Sequence, residues 1–305
     1  MADLGLLVMA YGTAAGPEDI ERYYTDIRGG RAPSPEALAE LRGRYEAIGN
    51  EFPLTRITSE QAAGLERELR GRGIEARAFV GMKHSAPFVA DAVGEMRAAG
   101  IRRALGIVMA PHFSRMSIGS YAQRARAAAG DLEIEVIESW WSHPSFLDFL
   151  AGRVGAALAT LPGKDRGRAL VVFTAHSLPA RIVEEGDPYP EELRGTAEAV
   201  AERLGLGAFT TGWQSAGRTP EPWLGPPLEE TIERAAADGF PAIVVAPCGF
   251  VSDHLEVLYD LDIEAVEVAR RAGIRLVRTE SPNADPAFLA ALADVVRDRL
   301  AQPVS

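Results

Sequence analysis

Eight short apolar runs punctuate the chain: "GLLVMAYG" (5–12), "ARAFVGMK" (76–83), "ALGIVMAP" (104–111), "IEVIES" (134–139), "ALVVFTAH" (169–176), "FTTGWQ" (209–214), "AIVVAP" (242–247) and "IRLVRT" (274–279). All are short and most are rich in Val, Ile and Leu, the pattern of a strand buried on both faces. Between them, apolar positions recur at helical spacing over 59–72, 86–99, 117–129, 145–159, 190–204, 227–238 and 285–300. Strand–helix alternation of this kind predicts an α/β fold with parallel sheets flanked by helices.

The two halves repeat one another. "LLVMAYGT" (6–13) lies over "VVFTAHSL" (171–178), "FVGMKHSA" (79–86) over "TTGWQSA" (210–216), and "IVMAPHF" (107–113) over "IVVAPCG" (243–249). The offsets of 165, 131 and 136 differ, but three matches in one order favour a duplicated lobe over a single eight-stranded sheet. The expected division is 1–142 for the first lobe and 143–283 for the second. In open parallel sheets ligands bind beyond the carboxyl ends of the strands. Tyr11, Lys83, His84 and His112 end strands of one half, and His176, Trp213, Gln214 and Gly249 those of the other. Two sets of functional groups should therefore face each other across a cleft, with Tyr11 and His176 at corresponding tips.

Composition narrows the function. The chain has 305 residues, is 47% apolar and 25% charged, and carries a net charge of -11. That balance speaks against nucleic acid or an anionic lipid surface as partner. No apolar run approaches a membrane span, and "MADLGLLVMAYG" lacks the basic start and cleavage site of a leader, so the expected location is cytoplasmic. The single cysteine, Cys248, excludes an internal disulfide and a cysteine-ligated iron–sulfur cluster; within "VVAPCGF" it reads as a small buried hydrophobe.

Three features carry chemistry. His176 ends a strand in "FTAHSLPARI", with a twin position in the other half. "DHLEVLYDLDIE" (253–264) places Glu256, Asp260 and Glu264 at i, i+4 and i+8 of a helix, with no Lys or Arg between 253 and 269 to offset the repulsion. That stripe is either a solvated acidic face or a site. His254, beside Asp253, reads as part of a helix cap, and His143 as a surface residue. The segment 20–50 gathers Arg22, Tyr23, Tyr24, Arg28, Arg31, Arg42, Arg44 and Tyr45 around a lid-like loop with two glycines and two prolines within 29–35. Such a cluster suits a flat polycarboxylate, although composition by itself slightly favours a solvated helix pair. Phosphate-binding glycine loops, a nucleophile elbow and closed zinc-ligand spacings are missing.

"LLVMAYGT", "DIERYYTDIR", "RYEAIG", "AHSLP", "GDPYP", "GWQS", "TPEPWLGP" and "GFVSDHLEVLYD" together make the chain resemble the ferrochelatases of the soluble bacterial coproporphyrin type, nearly end to end and in order. The resemblance implies two Rossmann-like lobes gripping a porphyrin between them, with a C-terminal helix of about 284–305 packed back on the first lobe. It implies insertion of Fe2+ into coproporphyrin III with release of two protons. His176 and Glu256 would be catalytic and would flank the metal, and Asp260 and Glu264 would extend the metal stripe outward. Tyr11, Arg28, Arg44, Tyr45 and Tyr121 would bind the porphyrin, with Tyr11 on the face opposite His176. Iron would be substrate rather than cofactor, with no tightly bound cofactor expected. The protein would act as a monomer that touches a downstream coprohaem decarboxylase at most transiently.

Three departures from the family pattern concern the porphyrin grip. Phe52 stands where a serine is usual, Ala14 where a proline is common, and Gly29 where an arginine is often found. Protoporphyrin IX as substrate, cobalt or nickel insertion into a related tetrapyrrole, and a non-enzymatic porphyrin carrier are the alternatives. A carrier has no need of the acidic stripe.

Overall fold

A computed structural model describes residues 4–217 and 219–302. Its eight strands form two parallel four-stranded sheets. β1 (Leu4–Ala10), β2 (Ala76–Met82), β3 (Arg103–Val108) and β4 (Glu133–Ile137) are ordered β2-β1-β3-β4. β5 (Leu170–His176), β6 (Phe209–Gln214), β7 (Ala242–Ala246) and β8 (Arg275–Arg278) are ordered β6-β5-β7-β8. The central strands are buried along almost their whole length, as parallel strands covered on both faces must be.

Register supports two of the three internal matches. Gly81 pairs with Met9 and Gly212 with Thr174. The equivalence that overlays the glycines therefore overlays Tyr11 on His176. The third match is displaced: Ile107 pairs with Val8, whereas Ala246, not Ile243, pairs with the equivalent Phe173. The similarity of "IVMAP" to "IVVAP" is one of composition, three residues out of step with the ladder.

One hydrophobic core runs through both lobes. It joins Leu6, Val8 and Leu105 of the first sheet to Val171, Phe173 and Val244 of the second by way of Leu65, Phe146, Leu150 and Phe288. The helix Pro286–Leu300 lies against the helices Leu54–Gly71 of the first lobe and Pro144–Thr160. Residues 303–305 of the expected terminal helix fall outside the described residues. A smaller cluster contains Ile20, Tyr23, Leu38 and Tyr45 from helices Ile20–Ile27 and Pro35–Ala47, and it takes in Leu255 from the second lobe. The Arg- and Tyr-rich segment is thus not a freely solvated helix pair, because its apolar face closes over the acidic segment.

That acidic segment is not one α-helix. A single turn, Leu255–Leu258, leads into a π-helix at Asp260–Ala265, with Glu264 N–H bonded to the Tyr259 carbonyl, and α-helix resumes at Val266–Ala272. The periodicity of Glu256, Asp260 and Glu264 implied an unbroken helix. The wider turn between them is a form that recurs at functional sites. Among the described residues no helix is long and apolar enough to cross a membrane.

Candidate active site

His176 and Glu256 meet at the carboxyl edge of the second sheet. The imidazole ends β5, and its Nε2 lies 3.5 Å from Glu256 Oε1. Its Nδ1 lies against the Ser177 carbonyl, which fixes that nitrogen as the donor and turns Nε2 toward Glu256. Glu256 is brought there by the loop after β7, where Gly249 N–H donates to the Thr174 carbonyl at 3.0 Å. A Cβ on Gly249 would sit 2.5 Å from Ala175 Cβ and 2.7 Å from its Cα, so only glycine lets the loop lie this close to β5. Gln214, the partner of His176 in the ladder, accepts from Thr174 Oγ1 at 2.8 Å and donates through Nε2 to the Glu256 carbonyl at 3.0 Å. Tyr189 donates its hydroxyl to the His176 carbonyl at 3.0 Å.

The pair is coupled electrostatically. Burial works against charge on both groups. Even so, the His176 imidazole holds the Glu256 carboxyl well below the usual carboxylate range, with His254 adding to the effect. In return Glu256, the Ser177 carbonyl and Asp260 lift His176 above an ordinary imidazole. His254 does not cap the helix as the sequence indicated: no side-chain cap is formed, and its Nε2 lies 3.6 Å from Glu256 Oε2. Asp253 is held instead by Ser281 and Asn283, at 2.6 and 2.7 Å.

The first lobe carries a second set of groups. Tyr11 is 41% exposed, packs its ring 4.6 Å from that of His84, and lies under Lys83 Nζ at 5.9 Å. The protein around its phenol, then Glu256 and then Asp26 push that hydroxyl above its usual range. The next residue, Gly12, turns at φ +94, and a Cβ there would lie 2.5 Å from Ser85 Oγ. Lys83 also stands 5.1 Å from the Tyr121 ring, and burial, with Arg124 nearby, brings its ammonium down to about 8. His84 pairs with Asp26 at 2.7 Å. Tyr121 and Tyr45 are both buried; Tyr45 reaches Thr13 Oγ1 at 3.1 Å and stacks on Phe52 at 4.4 Å. The aromatic residue at position 52 therefore continues the apolar packing under the lid.

The remaining residues singled out in the sequence separate. Arg28 is exposed at the end of the helix Ile20–Ile27, its guanidinium 5.7 Å from the Tyr24 ring. Arg44 and Asp260, read as a porphyrin contact and a metal ligand, form an ion pair across the cleft. Asp260 also accepts from Ser215 Oγ, and burial raises its carboxyl to about 6, with Arg44 opposing and Glu256 adding. Glu264 is exposed one turn further out. Among the described residues no group of three His, Cys, Asp or Glu side chains is arranged to hold a metal ion. The arrangement is thus an open His–carboxylate pair, able to exchange protons and offer nitrogen and oxygen ligands to a passing cation. The sequence gives no role to Ser215 or Tyr189, although "GWQS" and "GDPYP" contain them; only contacts across strands show what they hold.

The family model described as Ferrochelatase matches residues 3–300. The chain is 48% identical over 304 residues to the coproporphyrin III ferrochelatase of Geobacillus kaustophilus, covering 98% of this chain and 96% of that one. It is 48% identical over 303 residues to the enzyme of the same name from Bacillus subtilis, covering 97% and 98%. Among solved structures, the fold is similar to SirB from Bacillus subtilis with Fe3+, with a TM-score of 0.62 at 12% identity over 99% of this chain and 96% of that one. It is likewise similar to the sirohydrochlorin chelatase SirB in complex with cobalt, with a TM-score of 0.59 at 11% identity over 98% and 95%.

Proposed function

The chain belongs to the ferrochelatase family, and from that premise we propose that it inserts Fe2+ into coproporphyrin III to give iron coproporphyrin III. The observation that carries this reading is the contact of His176 Nε2 with Glu256 Oε1 at 3.5 Å at the carboxyl end of β5, where each group shifts the other toward its charged form. Insertion exchanges two pyrrole N–H protons for one divalent cation. A neutral His176 accepts one proton, the Glu256 carboxylate stabilises the imidazolium that forms, and the second proton leaves to water. Glu256, Asp260 and Glu264 offer hard oxygens to the entering ion, and the lack of a closed cage lets the ion leave for the ring. Tyr11, on the other wall, faces the metal once it is in the macrocycle.

In this reading the exposed Arg28 and the partly buried Arg44 receive the acidic arms, while the buried Tyr45 and Tyr121 support the ring from beneath. Four propionates on coproporphyrin III, against two on protoporphyrin IX, make fuller use of the guanidinium groups. In this reading iron is substrate, no cofactor is tightly bound, and no iron–sulfur cluster is present. The protein works as a cytoplasmic monomer, its lobes dividing at 142/143, and hands its product to a decarboxylase by transient contact.

The test is anaerobic titration and turnover with Fe2+ and coproporphyrin III, followed by absorbance. His176→Ala should bind the porphyrin with affinity close to wild type while insertion slows by about 10²-fold or more, the scale of a lost general base. Native turnover in that variant would remove His176 from the chemistry.

A further inference from the structure

The helix Pro35–Ala47 of the first lobe carries Arg44 to the second lobe's acidic segment. Its Nη2 contacts Asp260 Oδ1, and Ser215 donates to the other oxygen of the same carboxylate. Ser215 holds its place with φ +59, in the left-handed region that a residue with a side chain enters only under strain. The guanidinium lies over the Tyr259 ring at 4.7 Å, a platform on which it can turn without losing its support. Its Nε is buried and has no hydrogen-bond partner. A guanidinium carries five donors and can take a second carboxylate, and a buried donor left without an acceptor is rare.

A divalent cation approaching Asp260 would meet both a fixed positive charge at contact distance and oxygens already engaged by donors. Like charges repel strongly where water is scarce. Arg44 and a metal ion therefore compete for Asp260, while a ligand carboxylate and Asp260 compete for Arg44.

We propose that Arg44 is a carboxylate-operated gate on the metal stripe: its guanidinium holds Asp260 until an acidic arm of the tetrapyrrole takes the guanidinium over, and Asp260 then becomes available to the divalent cation. The gate rests on reading the cleft as a tetrapyrrole site, because a ligand carboxylate is what operates it. It couples the two substrates, so that bound tetrapyrrole tightens cation binding and, by linkage, bound cation tightens tetrapyrrole binding by the same factor.

The test uses the intact protein and Co2+ as the probe, titrated calorimetrically with and without iron(III) coproporphyrin III, whose ring already holds a metal and accepts no other. The wild type should bind Co2+ about tenfold more tightly when the metallated tetrapyrrole is present. Arg44→Gln should bind Co2+ that tightly without it and gain nothing further, and Asp260→Asn should abolish the gain. Arg44→Lys, which keeps a positive charge beside Asp260, should stay in the weak state without tetrapyrrole, and it decides the matter should Arg44→Gln fold poorly. A change of less than roughly twofold in the wild type, or an Arg44→Gln affinity no tighter than wild type, would overturn the gate. Wild-type turnover of Fe2+ and coproporphyrin III in the same preparation separates the two ideas. Turnover without coupling sinks the gate alone, whereas absence of turnover sinks the reading of the cleft on which it stands.

Discussion

At the scale of single residues the chemistry rests on how far Glu256 moves His176. Since the carboxylate raises the imidazole pKa, the neutral base required for proton acceptance accumulates only as pH climbs through that raised value. Replacing Glu256 by Gln removes the charge, so the His176 pKa should fall. The rising acid limb of the kcat/KM profile should then move to lower pH, even though kcat at saturating iron also drops. A limb that stays in place would show that some group other than His176 sets it. Residue-level legibility was uneven. His176 could be picked out because it ends a strand whose counterpart ends in Tyr11, and Glu256 because an acidic triplet follows an apolar strand. The pairing of Arg44 with Asp260 could not, since it joins positions 216 apart that meet only when the lobes close. His254 was misread for a local reason: the Asp–His pair before a helix fits a cap, but Ser281 and Asn283 from another strand's end claim Asp253 and leave the imidazole to Glu256.

Elements carry these groups, and two of them have measurable consequences. The loop after β7 lies so close to Ala175 that a methyl group at Gly249 would meet backbone. Gly249→Ala should therefore cost about 1–3 kcal/mol of stability, the usual penalty of overpacking, and also lower turnover by displacing Glu256 from His176. An unchanged unfolding midpoint would contradict that geometry. The π-turn at Asp260–Ala265 holds the outer acids of the stripe. Glu264→Gln should chiefly raise the apparent KM for Fe2+, and more so at low ionic strength, because an exposed carboxylate attracts a cation over a screening length of about 10 Å at 0.1 M salt. An iron KM insensitive to that change at every salt concentration would reduce Glu264 to a solvated surface group. Strands were readable from apolar runs because burial on both faces leaves a periodicity-free signal. The π-turn was not, because Glu256, Asp260 and Glu264 have the same sequence spacing whether the bonds run to i−4 or i−5.

Over the whole molecule, the two halves share one plan, parallel four-stranded sheets of matching strand order. A continuous core that includes residues of helices Leu54–Gly71, Pro144–Thr160 and Pro286–Leu300 joins the two sheets. The terminal helix is tied to the first lobe by Arg72–Asp294 at 2.6 Å and to the helix Pro144–Thr160 by Ser145–Asp294 at 2.8 Å. Its packing on the first lobe is legible only through family resemblance, and its packing on Pro144–Thr160 not at all, since its apolar face names no partner. An enzyme that takes coproporphyrin III as its substrate should prefer the ring richest in carboxylates. The most direct measurement is therefore kcat/KM for anaerobic Fe2+ insertion into coproporphyrin III and into protoporphyrin IX by the same enzyme. Two additional propionates, if even one forms a charge-assisted hydrogen bond of about 1.5–3 kcal/mol, should favour coproporphyrin III by at least tenfold. Equal or faster use of protoporphyrin IX would contradict the assignment of the cleft.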